Sequence, residues 1–204
     1  MKQRTLAVVS AGLSQPSSTR LLADQLAAAT RDELERLGGQ LDTQVIDVRE
    51  HAHEVVNHLL TGFPSASLKQ AMDTVAGADG LIAVTPTFNA SYSGLFKSFF
   101  DVLDDGSLVG KPVLIGATGG TARHSLALEH ALRPMFAYLR AVVVPTSVFA
   151  ATEDWAGGTA EGPLRDRIRR AGRELAEQVE RRESQPAADP FALSTTFDQL
   201  LAGD

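Results

Sequence analysis

The chain has 204 residues, 44% hydrophobic and 22% charged, enough to bury one substantial core and too few for a second full domain. A formal net charge of -6 argues against nucleic acid or an anionic membrane as the main partner. The absence of cysteine removes disulfides, thiolate nucleophiles and Cys-type metal sites together, and no apolar run approaches the roughly 18 residues of a spanning helix, so the expectation is a cytoplasmic protein.

In chain order, short apolar runs alternate with helical periodicity. Thr5 to Ser10 reads as a buried strand, and Thr19 to Leu37 as an amphipathic helix with Leu22, Leu26, Ala27, Leu34 and Leu37 near one face, closed by Gly38 and Gly39. Leu41 to Val48 alternates as a strand, Arg49 to Ser65 reads as irregular, and a helix is predicted from about Ser67 to Ala76. Strands are further predicted at Gly80 to Thr85, Pro112 to Thr118 and Ala141 to Phe149, and helices at Ser93 to Leu103, Ser125 to Arg140 and Pro163 to Arg182. Parallel strands need crossover helices, so this alternation implies an α/β fold with a parallel sheet covered on both faces. Five strands suit a flavodoxin-like order, 2-1-3-4-5, although a Rossmann variant reads almost the same. Residues 1–183 are expected to form the domain. Beyond them ESQPAADP is a polar linker, and the tail to Asp204 restores apolar anchors at Phe191, Leu193, Phe197 and Leu200, which suit docking on its own domain or on a partner subunit.

Ligands of open parallel sheets bind at the carboxyl ends of the strands, so the loops after the first, third and fourth strands carry the chemistry. The first, SAGLSQPSST, has one glycine and no lysine, which excludes both GxGxxG and a Walker loop. It offers Ser10, Ser14, Ser17, Ser18 and Thr19 beside the positive end of a helix dipole, a donor set suited to a phosphate monoester. One N-cap needs one hydroxyl, so capping alone leaves the others unexplained. The second loop places Pro86, Thr87, Phe88, Asn89 and Tyr92 together. These suit either the wall of a planar heteroaromatic ring or a capped turn whose aromatics join the core. The third, ATGGTARHS, carries Thr118, Gly119 and Gly120, whose bare backbone allows close approach to a ligand or simply a sharp turn.

All three loops resemble one family at once, the NADPH-dependent FMN reductases of flavodoxin-like fold that supply reduced flavin to two-component monooxygenases. The resemblance rests on SAGLSQPSSTRLL at the phosphate position, on TPTFNASYSGLFKSFFD and on ATGGTARH, and spans about Thr5 to Ala150. The family's usual first loop is GSxRxxSxN; here Ser10, Ala11 and Leu13 stand at its Gly, Ser and Arg, and Ser18 at its Asn. The resemblance implies FMN and NADPH as cofactors, with FMN held by Ser10, Ser17, Ser18, Thr19, Pro86, Thr87, Phe88, Asn89, Tyr92, Thr118, Gly119 and Gly120. Arg123 and His124 become candidates for the NADPH phosphates, with plain surface solvation as their alternative. No protein acid, base or nucleophile is implied, because the flavin carries the hydride chemistry. A homodimer or homotetramer and a flavin-dependent monooxygenase partner, of the luciferase-like branch, are further expectations. An FMN-containing quinone or azo reductase and a flavodoxin-type electron carrier are the alternatives.

Two apparent motifs carry no chemistry. HAHEVVNH, from His51, places His53 and His58 five residues apart, which fails the HExxH spacing of a zinc site, and no metal is expected. GSLVGKP, from Gly106, is one residue short of a Walker loop and precedes a strand, so it reads as a helix-to-strand connection.

Overall fold

The computed structural model describes residues 2–155 and 162–182. The expected linker and tail, 184–204, lie outside them. Gln3–Ser10 (β1) leads into α1, Ser18–Arg36, and then β2, Gln40–Asp47. A short 3-10 turn, Val48–His51, precedes α2, Ala52–Thr61, and α3, Ala66–Gly77. Gly80–Phe88 (β3) turns back through β4, Ser91–Tyr92, into α4, Gly94–Asp101. Pro112–Gly119 (β5) is followed by a 3-10 turn at Ala122–His124, a π turn at Leu128–Leu132 and α5, Arg133–Tyr138. Val142–Val143 (β6), Val148–Ala151 (β7) and α6, Gly162–Arg181, complete the order.

The sheet runs β2-β1-β3-β5-β6, with every pairing along it parallel. This is the flavodoxin-like arrangement, but it holds seven strands where five were expected. One addition is β4, a two-residue antiparallel return of β3 that pairs Thr87 with Tyr92 and Phe88 with Ser91. Its turn residues, Asn89 and Ala90, both have positive φ, 47° and 66°, as a tight hairpin requires. The other comes from a break in the expected Ala141–Phe149 strand, leaving β6 and β7 as separate parallel partners of β5. Pro145 has no N–H to give the ladder, and the Arg133 guanidinium donates to the carbonyls of Val144 and Pro145 at 3.1 Å. Two further expectations change. The stretch read as irregular contains α2, and the helix expected over Ser125–Arg140 is broken into a π turn and the short α5, with a 3-10 turn just ahead of it.

Helices cover both faces. On one, α1 and α6 cross so closely that a Cβ at Gly172 would lie 2.8 Å from the Ala29 carbonyl carbon. Beneath them lie Leu22, Leu26, Ile82, Leu114, Ile168 and Leu175. On the other, Phe96, Phe100 and Phe136 form an aromatic cluster with centroids 4.8 and 5.1 Å apart along the series. Two fully buried cations tie the amino ends of the strands to helix C-termini. Arg4 pairs with Asp79 at 3.2 Å and donates to the carbonyls of Glu180 and Arg182, while Lys111 donates to those of Val75 and Ala76. Their charge therefore faces the negative ends of α6 and α3. With that end occupied by structural cations, the carboxyl ends of β1, β3 and β5 are left to hold a ligand.

Candidate active site

The first loop folds back on the start of α1. Ser17 is the N-cap, extended in backbone, and its Oγ accepts from the Arg20 N–H at 3.2 Å. The first intrahelical bond runs from Leu21 N to Ser17 O, so the amides of Ser18 and Thr19 precede the helical ladder and are uncommitted within it. Gly12 is required here: a Cβ on it would fall 1.9 Å from Ser17 Oγ. Leu13, Ser14 and Ser18 are exposed, with Ser17 half-buried between them.

The predicted hydroxyls divide into a floor and a rim. Ser10, Thr19 and Thr118 are buried, and the Thr19 and Thr118 hydroxyls hydrogen-bond at 2.8 Å, joining the first and third loops. Ser10 Oγ is sealed beneath the loop without a hydrogen-bond partner, as is Thr87 Oγ1 at the end of β3. Thr85, which the sequence reading passed over, is also part of the floor. Its Oγ1 accepts from Ser93 N at 3.0 Å and donates to the Pro86 carbonyl at 2.9 Å, holding the β3–β4 hairpin over the start of α4. Thr85 stands inside the quoted TP motif, but its type alone does not reveal that bond, and neither does Gly12's.

The rim comes from the three loop crests. Phe88 is 48% exposed, Asn89 is exposed, and Pro86, Thr87 and Tyr92 are half-buried; Phe88 flanks the opening, whereas Tyr92 packs against the core with its ring 6.1 Å from that of Phe96. Gly119 and Gly120 differ in role. A Cβ at Gly119 would meet Phe149 Cζ at 2.9 Å, whereas one at Gly120 would enter open space. Thr121 caps the following turn, on which Arg123 and His124 are both exposed. The predicted residues thus gather at one end of the sheet.

Uncommitted helix amides, exposed serines and a glycine-only approach form a donor set that fits a phosphate monoester, and the apolar rim fits a flat ring beside it. Among the described residues no group of three or more His, Asp or Glu is placed to hold a metal ion, and no helix is long and apolar enough to cross a membrane.

Comparison with known proteins shows the family. The family model described as NADPH-dependent FMN reductase matches residues 4–156. An FMN reductase (NADPH) of Pseudomonas aeruginosa is 36% identical over 169 residues, covering 82% of this chain and 88% of the relative. The NADH-dependent FMN reductase SfnF of Pseudomonas fluorescens is 36% identical, covering 85% and 91%. A solved oxidoreductase from Corynebacterium diphtheriae superposes with a TM-score of 0.84 at 44% identity, covering 90% of this chain and 100% of that one. With loops, sheet order and relatives in agreement, the chain belongs to the NADPH-dependent FMN reductase family.

Proposed function

We propose that this protein is an NAD(P)H-dependent FMN reductase that supplies reduced flavin to a partner monooxygenase, of the luciferase-like branch. The observation that carries the reading is the convergence of the three loops, latched by the Thr19–Thr118 bond. Ser17, Ser18 and the first amides of α1 hold the phosphate by charge-assisted hydrogen bonds. Phe88, Asn89 and Tyr92 border the ring on one side, and the backbone at Gly119 and Gly120 borders it on the other. FMN held there would supply the redox chemistry, as the acceptor of a hydride from the nicotinamide. Arg123 and His124, both exposed on the turn that follows Gly120, bind the phosphates of the dinucleotide. Similarity to SfnF, an NADH-dependent FMN reductase, keeps NADH beside NADPH as donor. The protein works as a homodimer or homotetramer. Loss of absorbance at 340 nm on mixing purified protein, NADPH and FMN tests the activity, and no FMN-dependent oxidation would overturn it.

A further inference from the structure

Gly119 ends β5 above a floor supplied by its neighbours. Residues two apart on a strand share a face, so Gly119 stands on the same side of the sheet as Ala117, with Phe149 and Ala151 of β7 alongside. Of these four only Phe149 is large, and it is 7% exposed. In register it lies opposite Ala117, while Ala151 lies opposite Gly119. Its ring nevertheless reaches forward along the sheet. A Cβ on Gly119 would fall 2.9 Å from Phe149 Cζ and 3.7 Å from Thr87 Cβ, so the ring tip occupies the space that a side chain at position 119 would take. Such a Cβ would therefore point into the core, and the ring itself is what requires glycine there. Gly120, one residue on, has nothing within 4 Å of its Cβ position, which leaves Gly119 as the seated residue of the pair.

We propose that Phe149 is a positioning residue for flavin binding, its ring fixing from beneath the height of the Gly119–Gly120 backbone that borders the isoalloxazine. This rests on the reading above that places the flavin at the third loop. At 7% exposure Phe149 is covered by that loop and acts through Gly119. Protein interiors are close-packed, so a ring seated against a backbone leaves it no slack, and loss of the ring lets the loop sink toward the void. A binding constellation tolerates only about 0.5 Å of such displacement. Two glycines have no side chains with which to lock their own loop, and the neighbouring strand supplies the lock.

A compensation cycle, read by fluorescence titration with FMN and by thermal melts, tests this. Gly119→Ala sets a Cβ against the ring and should weaken FMN binding by about fivefold or more. Phe149→Leu withdraws the far edge of the ring and should weaken it comparably. Together the changes fit, because the new methyl enters space the ring has vacated, and Gly119→Ala/Phe149→Leu should bind FMN within about twofold of the parent. Phe136→Leu is the control: it removes a ring from the same core, beside Phe96 and Phe100, and should lower the melt while FMN affinity stays unchanged. A double variant that binds FMN no better than Gly119→Ala overturns the proposal, and so does a Phe136→Leu protein that loses as much affinity as Phe149→Leu. Should Phe149→Leu fail to fold, Phe149→Met, closer in volume, takes its place in the cycle. Gly120→Val, which alters the loop without meeting Phe149, separates the two readings. If it weakens FMN binding while Gly119→Ala and Phe149→Leu do not, this proposal alone falls; if all three bind FMN like the parent, the flavin lies elsewhere and the reading of the site falls too.

Discussion

Thr19 and Thr118, 99 residues apart in sequence, share a buried hydrogen bond of 2.8 Å between their hydroxyls. It joins the start of α1 to the end of β5 and so sets the loop after β1 against the Gly119–Gly120 loop. Replacing either residue by valine strands the other hydroxyl in the interior, at a cost of about 1–3 kcal/mol. The double variant Thr19→Val/Thr118→Val removes both partners and should cost no more than either single change. Urea unfolding measures the cycle, and FMN should bind more weakly to all three variants. Strictly additive losses would show that the two hydroxyls act independently.

Phosphate recognition should dominate flavin discrimination. Ser17, Ser18 and the amides of Ser18 and Thr19, uncommitted within the helical ladder, stand together at the start of α1, where the proposed phosphate would bind. Riboflavin lacks that group and should bind at least tenfold more weakly than FMN in a fluorescence titration. Equal dissociation constants would remove this loop from the binding site.

The two adjacent glycines should respond differently to a side chain. Gly119→Val drives a methyl into Phe149 and should lower stability by about 1–3 kcal/mol through overpacking. Any loss of activity there is confounded by that strain. A Cβ at Gly120 meets no protein atom within 4 Å, so the thermal melt of Gly120→Val should stay close to that of the parent while FMN affinity and NADPH oxidation fall. Unchanged turnover in Gly120→Val would place the flavin elsewhere.

Lys111 gives the fold a distinctive alkaline response. Burial, reinforced by the nearby Arg182 guanidinium, pushes its ammonium down to about 8 against the small opposing pull of Asp79. The unfolded chain, with an ordinary lysine, binds more protons than the folded one between about 8 and 10.5, so stability attributable to this group rises with pH across that window. Below pH 8 the buried charge imposes its full penalty, on the order of 3 kcal/mol, opposed by its bonds to the α3 carbonyls. Lys111→Met should lack this rise. Urea midpoints of parent and variant at pH 7.5 and 10 check it, and parallel pH dependences would contradict it.

The strands and long helices were legible because their periods are strong: Leu6 to Val9 and Leu81 to Val84 are continuous apolar runs, and Leu22, Leu26 and Leu34 repeat helically. The α2 helix escaped because His51 offers no side-chain cap and Val56, Leu59 and Leu60 are exposed, so neither a start signal nor a place in the core announced it. The break in the last strand was signalled by Pro145, whose missing donor outweighed the valine run around it. At the site, residue types were readable and pairings were not. Nothing local to Thr19 indicates Thr118, and nothing local to Thr85 indicates the amide of Ser93, because such contacts exist only once the sheet has brought the loops together.

The interruption between β6 and β7 bears on how the protein behaves when crowded. This strand position lies at the margin of the sheet, where a continuous valine-rich ribbon would present a ladder for a foreign strand to continue. Here Pro145 withholds a donor, and the Arg133 guanidinium occupies the carbonyls of Val144 and Pro145. An incoming strand therefore finds its hydrogen-bond register cut after two residues. Fibre-like stacking through that margin is blocked by the covalent structure of one imino acid and the reach of one arginine.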